Sequence, residues 1–142
     1  MNNFFVTSEK IIKSPEGDVM RGIRTSSNGY NGFEEAYFSE IQYGKIKGWK
    51  RHLKMTLNLL VPVGKIKFVM FNDLEHKNST FHEVILSKEN YQRLTIPPMT
   101  WVAFQGLDTK TSVLLNIANI VHDPEETERM DLYLSNYDWN MK

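Results

Sequence analysis

The 142-residue sequence contains no cysteine. Disulfides, zinc–thiolate sites and a catalytic cysteine are therefore excluded. It also lacks a long apolar run, because no stretch approaches the ~20 residues that cross a bilayer. The N-terminal residues are interrupted by Ser8, Glu9 and Lys10 too early for a signal peptide. These absences predict a cytoplasmic protein with no membrane partner.

An excess of either charge is also missing. Lys and Arg together number 17, as do Asp and Glu, so the formal net charge is zero. A general attraction to nucleic acid is therefore not expected, and any basic site must be local. A chain of this length is most simply one domain that can bury a core without covalent staples.

What the sequence does contain is a series of short β-forming runs, separated at intervals of 8–12 residues by Gly, Pro, Asn and Ser. No interior segment keeps a 3.6-residue period. This pattern predicts an all-β sandwich or barrel. The predicted strands span residues 4–13, 34–42, 57–63, 65–71, 80–86, 91–96, 101–105 and 113–121, with a polar turn at 72–79.

A short basic segment, Gly44 to His52, precedes the central apolar run. On a strand, alternate side chains face opposite ways, so Lys50 and His52 share one face while Trp49 and Arg51 take the other. The face with Lys50 and His52 could be the floor of an anion-binding cavity. It could equally be the solvated side of an ordinary sheet.

Several motifs follow one another in a recognisable order. They are Gly44–Trp49, the apolar run ending at Gly64, Ser79–Phe81, Leu86–Asn90, Leu94–Pro98, and Asn119 with Asp123–Glu125. Over about residues 33–126 this order resembles the dTDP-4-dehydrorhamnose 3,5-epimerase type of cupin and the related nucleotide-sugar 3,4-ketoisomerases.

The resemblance implies a single cupin domain with the double-stranded β-helix (jelly roll) fold. An N-terminal arm would cover about residues 1–32, the jelly roll about 33–121 and a C-terminal tail about 122–142. It further implies a homodimer that often exchanges N-terminal strands, and a barrel pocket for a nucleotide-linked 4-keto sugar, without a cofactor.

The chain departs from the family at four pocket positions. Lys50 stands where the family carries the histidine that abstracts a proton next to the keto group, and Val102 replaces a second histidine. The family's tyrosine acid aligns near Leu115, and its pocket lysine near Leu57. Metal-binding cupins use a His-x-His pair, a glutamate and a later histidine, of which only His52 is kept, so no metal is predicted.

Lys50 and His52 are the predicted catalytic residues. A lysine in a partly dry pocket has a lowered pKa and can act as a base or form a Schiff base. His52 could orient Lys50, contact a pyrophosphate or take the proton itself. The alternatives are a solvated strand lysine and a hydrogen-bonded histidine of the barrel interior.

Four further residues are predicted to bind substrate. The resemblance implies that Lys47 holds the charged part of the substrate and that Arg21 reaches a phosphate from the N-terminal arm. Trp101 could stack on a nucleobase, and Asn116 lies among apolar residues where a buried amide needs partners. Core packing for Trp101 and a surface position for Arg21 are the alternatives.

The leading hypothesis is therefore a nucleotide-sugar epimerase or isomerase for bacterial surface polysaccharide biosynthesis. It would act by proton abstraction next to the C4 ketone of a dTDP-4-keto-6-deoxyhexose. The alternative is a cupin that has lost its chemistry and binds a nucleotide sugar or a protein partner without turnover. A purely structural dimer would need no pocket residues at all.

Overall fold

A computed structural model of the chain describes residues 4–72 and 80–140. These residues form twelve strands and two 3-10 turns, at Pro124–Glu126 and Leu132–Leu134. The strands are β1 (Phe5–Ser8), β2 (Ile11–Ile12), β3 (Val19–Met20), β4 (Glu35–Ile41), β5 (Ile46–His52), β6 (Leu57–Val63), β7 (Lys65–Phe71), β8 (His82–Ser87), β9 (Gln92–Ile96), β10 (Trp101–Gly106), β11 (Ser112–Ala118) and β12 (Thr127–Arg129). Apart from Asn72, the turn predicted at 72–79 lies outside the described residues.

Ten of the strands form two five-stranded sheets that pack face to face. The first sheet has the order β1-β9-β6-β11-β4 and the second the order β12-β5-β10-β7-β8. Neighbouring strands are antiparallel throughout. The all-β jelly roll predicted from the sequence is confirmed. No helix in the described ranges is long and apolar enough to cross a membrane.

Strand alternation decides which side chains enter the space between the sheets. On β4, Tyr37, Ser39 and Ile41 are less exposed than Ala36 and Phe38, as the sequence pattern predicts. On β11 the fully buried side chains likewise alternate with half-buried ones. A residue's parity along its strand therefore determines whether it faces the interior of the barrel.

A second apolar cluster lies on the outer face of the second sheet. It is built on Trp49, Phe71 and Trp101, and residues 130–139 pack against it. The indole of Trp49 donates a hydrogen bond to Ser135 at 3.1 Å. Much of the predicted C-terminal tail is thus part of the folded body, and its residues 127–129 form β12.

The N-terminal arm is fixed to the outer face of the first sheet by one buried cation. The guanidinium of Arg93 is fully buried and donates to Glu9 Oε2 at 2.9 Å, to Asn58 Oδ1 at 2.5 Å and to the Asn28 carbonyl at 2.8 Å. A buried charge with these partners has its desolvation cost offset. Loss of one partner would leave the charge uncompensated.

Gly48 produces an irregularity in β5 that shapes the site. Its φ is +131°, and a Cβ there would lie 2.5 Å from Ala103 Cβ. The register between β5 and β10 shifts at this point, as at a β-bulge. The shift brings Lys47 and Lys50, three residues apart, to the same side of the strand, where regular alternation would separate them.

Candidate active site

A cavity of about 230 Å³ opens between the two sheets. The first sheet contributes Tyr37, Ser39 and Asn116 together with leucines of β6 and β11, and the second contributes cationic side chains of β5 and apolar ones of β10. This volume is below the ~300–1,000 Å³ typical of ligand pockets. The enclosed space therefore suits a sugar-sized group rather than a whole nucleotide sugar.

His52 and Glu126 form a buried pair at the cavity wall. The imidazole Nδ1 is hydrogen-bonded to Glu126 Oε1, and both residues are at most 5% exposed. Glu126 Oε2 also accepts hydrogen bonds from the backbone N–H groups of Lys54 and Met55, at 3.1 and 3.2 Å. A carboxylate can only accept, so Nδ1 carries the proton and Nε2 keeps the lone pair. The lone pair of Nε2 is therefore free to accept a proton.

The electrostatics of the pair favour this protonation state. Burial lowers the pKa of His52 below its usual value, although the hydrogen bond with Glu126 opposes the shift. Burial alone would raise the pKa of Glu126, but the hydrogen bonds from His52 and from the backbone lower it. At neutral pH the pair is therefore a neutral imidazole beside a carboxylate.

These shifts make the fold sensitive to acid. Both groups have a lower pKa in the folded chain than in the unfolded chain, so the unfolded chain binds more protons below about pH 6.5. The contribution of His52 to stability is lost as the pH falls from about 6.5 through its folded pKa. That of Glu126 is lost at lower pH, below its unfolded value.

Lys50 and Arg129 lie side by side on the second sheet. They are register partners on β5 and β12, and both line the cavity. Burial and then the positive charge of Arg129 lower the pKa of the half-buried Lys50 amine. Lys47, exposed at the same cavity, donates a hydrogen bond to the Glu40 carbonyl at 2.6 Å. Of the described residues that line the cavity, none carries a carboxylate.

Tyr37 stands on the opposite wall, held by Asn116. The Asn116 side-chain amide donates to the Tyr37 hydroxyl at 2.9 Å and accepts from the Asn58 backbone N–H at 3.3 Å. Burial raises the pKa of Tyr37, so the phenol stays protonated at neutral pH. Because the hydroxyl oxygen accepts from Asn116, its own proton is available to a ligand.

The structure brings four of the six predicted site residues together. Lys47, Lys50, His52 and Asn116 all line the cavity. Arg21 and Trp101 do not.

Arg21 is exposed on the N-terminal arm, where its backbone carbonyl accepts from the Tyr91 hydroxyl at 2.7 Å. Trp101 faces the outer cluster, because Val102 and Phe104 are the β10 residues that turn inward. There its ring packs on Phe71 and lies under the Arg51 guanidinium, 4.9 Å from the ring centroid. Trp101 therefore lies outside this cavity and takes the position of its core-packing alternative.

The other three positions at which the chain departs from the family can be placed relative to the cavity. Leu57 and Val102 line the cavity, as the alignment implies. Leu115 does not, since Leu114 and Asn116 are the inward-facing residues of β11. The apolar residue at position 115 therefore removes no acid from this site.

Sequence reasoning did not single out Glu126, Arg129 or Tyr37 for this site. Glu126 lies 74 positions after His52, and Arg129 belongs to a strand of three residues. The alternation of β4 was the available signal for Tyr37. No group of three or more His, Asp or Glu side chains within residues 4–72 and 80–140 is arranged to hold a metal ion.

The histidine pair can be tested by titration. The pKa of His52 should lie below about 6.5 and fall further in Glu126→Gln, because the hydrogen-bonded carboxylate raises it. NMR of the four histidine C–H resonances measures this, with His52→Asn to assign the signal.

Glu128→Gln is the matched control, since Glu128 is bonded to Arg51 on the other face of the same strand pair. It should leave the His52 titration unchanged. A pKa of His52 that rises in Glu126→Gln would contradict the assigned pairing.

No protein-family model matches the chain, but solved structures do. The chain is 30% identical to a dTDP sugar isomerase of Desulfovibrio desulfuricans G20, with a TM-score of 0.88 over 96% of this chain and 90% of that one. A 3,5-epimerase of Legionella pneumophila in complex with dTDP-4-keto-L-rhamnose gives 18% identity and a TM-score of 0.77, over 91% of this chain and 73% of that one.

A 3,4-ketoisomerase of Thermoanaerobacterium thermosaccharolyticum in complex with TDP-4-keto-6-deoxyglucose gives 18% identity and a TM-score of 0.76, over 92% and 89% of the two chains. Among curated proteins, a probable low-salt glycan biosynthesis epimerase of Haloferax volcanii is 25% identical over 114 residues, 75% of this chain and 73% of that protein. With the similarity to the Desulfovibrio protein across nearly the whole of both chains, the chain belongs to the dTDP-4-dehydrorhamnose 3,5-epimerase-like cupin family of nucleotide-sugar epimerases and 3,4-ketoisomerases.

Proposed function

We propose that this protein is a dTDP-sugar isomerase of glycan biosynthesis that moves a proton next to the C4 ketone of a dTDP-4-keto-6-deoxyhexose. The observation that carries the proposal is the His52–Glu126 pair on one wall of the cavity and Tyr37 on the other. The names of the relatives, which include dTDP-sugar isomerases, epimerases and ketoisomerases, support the substrate class.

His52 is the base in this proposal. Its Nε2 removes the proton from the carbon beside the ketone, and the imidazolium that forms is stabilised by the Glu126 carboxylate. The low pKa of the free imidazole keeps it unprotonated before the reaction. The bound ketone lies against Lys50, two residues earlier on the same face of β5.

Tyr37 is the acid. The two sheets face each other across the sugar, so a proton that leaves toward His52 and is replaced from Tyr37 returns on the opposite face of the ring. That sequence inverts the carbon, so the arrangement favours epimerisation over a shift of the keto group. Asn116 is a positioning residue, because it holds the phenol oxygen in place.

Deuterium exchange tests both assignments. In D2O, the wild-type protein should incorporate deuterium beside the ketone of dTDP-4-keto-6-deoxyglucose, and His52→Asn should abolish incorporation. Tyr37→Phe should lower formation of the inverted product by ~10²–10⁴-fold while exchange continues, since His52 can return a deuteron to the face it came from. NMR of the sugar protons measures both quantities.

Each variant is first checked for folding and for dTDP binding. Full exchange in His52→Asn would contradict the base assignment, and a product with a shifted keto group would contradict inversion. If the wild-type protein binds dTDP but exchanges no carbon-bound proton, the alternative of a cupin that binds without turnover is correct for this substrate.

Lys47 and Arg129 are proposed to hold the diphosphate of the substrate. Both are exposed cations that line the cavity. They can therefore contact the diphosphate, which the enclosed volume does not accommodate together with the sugar. Guanidinium groups bind phosphate through paired hydrogen bonds, and ammonium groups bind it as a point charge. The nucleoside would then lie outside the cavity.

Calorimetry can measure the contribution of the diphosphate contact separately from that of the nucleoside. Arg129→Met should weaken dTDP binding by ~1.5–3 kcal/mol, the size of a charged hydrogen bond, which is ~10–150-fold in Kd. Thymidine, which lacks the diphosphate, should bind the variant and the wild type equally. Lys110→Met, in an exposed loop, is the control and should leave dTDP affinity unchanged. An Arg129→Met protein with unchanged dTDP affinity would contradict the assignment of Arg129 to the diphosphate.

We further propose a homodimer formed through the outer face of the first sheet. Phe38 is 68% exposed on β4, the edge strand of that sheet, and beside it the outward residues of β11 are Val113, Leu115 and Ile117. An exposed phenylalanine ring beside its apolar register partner Leu115 is a feature of interaction surfaces.

Phe38→Glu should therefore convert the dimer to a monomer, as measured by light scattering coupled to size-exclusion chromatography. A charge placed in an apolar interface must be desolvated without a partner. Tyr133→Glu is the control, because Tyr133 is 93% exposed in a different part of the chain. A wild-type protein that is monomeric at micromolar concentration would contradict the proposal.

A further inference from the structure

Lys50 occupies an unusual position for a lysine. It is half-buried in the cavity wall, and its neighbour across the β5–β12 ladder is another cation, Arg129. None of the described residues lining this cavity supplies a carboxylate to either of them. Lysine side chains on strands normally keep the ammonium in water, whereas this one is packed among ligand-facing groups.

The surroundings favour the neutral amine. Burial is the largest effect on the pKa of Lys50, the charge of Arg129 adds to it, and Glu126 opposes both to a smaller extent. The other ionisable groups of the cavity are Lys47, a second cation, His52, which is neutral beside Glu126, and the protonated phenol of Tyr37. A lysine desolvated next to another cation is the arrangement that activates an amine as a nucleophile toward ketones.

We propose that Lys50 is a carbonyl-capturing residue that forms a covalent iminium with C4 of the bound 4-keto sugar. The inference rests on the proposed function for its substrate and goes beyond it in the chemistry. The Lys50 Nζ lone pair forms a bond to C4, and the C4–oxygen bond breaks. The oxygen leaves as water, with one proton from the amine and one from a cavity acid such as Tyr37. Ketone, neutral amine and the acid's proton thus give iminium, one water and the acid's conjugate base, which takes a proton back from solvent; no oxidant or reductant is needed.

The iminium makes the subsequent proton transfer easier. A positively charged C=N group draws electrons from the adjacent carbon more strongly than a neutral ketone does. His52 then removes the proton next to C4 to give a neutral enamine, and reprotonation and addition of water restore the ketone and the free amine. Leu57 and Val102 in the cavity wall limit the access of water while the iminium exists.

Reductive trapping tests the covalent bond. The full-length protein is incubated with dTDP-4-keto-6-deoxyglucose and cyanoborohydride, which reduces an iminium to a stable secondary amine. Peptide mass spectrometry should find the sugar-nucleotide adduct on Lys50 and not on Lys110. Lys50→Arg keeps a long basic side chain but cannot form the imine, so its adduct should be lost while dTDP binding, measured by calorimetry, is retained.

A second readout follows the ketone oxygen. Imine formation exchanges that oxygen with solvent, so in H2-18O the wild-type protein should label C4 oxygen faster than Lys50→Arg, which sets the background of spontaneous hydration. Deuterium exchange by the wild-type protein with no adduct on Lys50 and no accelerated 18O labelling would overturn the inference and leave the proposed function standing. An adduct on Lys50 with no deuterium exchange would support the capture step and contradict the proposed function.

Discussion

The hydrogen bond between His52 and Glu126 is the contact on which the rest of the site depends. The buried carboxylate has three donors: the imidazole and the backbone N–H groups of Lys54 and Met55. It lies at the end of the 3-10 turn Pro124–Glu126, so satisfying it fixes where β12 begins. β12 in turn aligns Arg129 with Lys50. One buried charge therefore sets the tautomer of the base and also brings a guanidinium to the cavity, because an unsatisfied carboxylate at this depth would be too costly to keep.

The second constraint is the close approach of β5 and β10 at Gly48. A side chain at that position would overlap the backbone of Ala103, 2.6 Å from where its Cβ would be. The shift in register permits Lys47, Lys50 and His52 to face one cavity, although their spacing of three and two residues does not fit strict alternation. The proposed base, amine and phosphate-binding cation are thus contributed by six consecutive residues. A strand without the bulge would send Lys47 into the outer cluster with Trp49.

Sequence reasoning found the fold and the strand that carries the chemistry, and its errors have physical causes. Turn spacing and apolar runs report local structure, so the strands were predictable. Glu126 was missed because its partner lies 74 positions away and a three-residue strand leaves no periodic signal. The alignment could not decide whether Leu115 or a neighbour faces the cavity, and the sequence left Trp101 between base stacking and core packing, since a shift of one residue reverses every side chain of a strand.

The apolar residues at two family positions fit a change of mechanism better than a loss of function. A site that stabilises an enolate must surround its oxygen with hydrogen-bond donors, and Val102 and Leu57 offer none. An enamine places the developing electron density on a nitrogen that the protein already holds covalently, so fewer donors are required around it. The cavity contains an imidazole with its carboxylate, a phenol and an amine, while the walls between them are hydrocarbon. Selection for binding alone would not require a half-buried lysine beside a guanidinium, whereas the proposed capture of a ketone makes use of one.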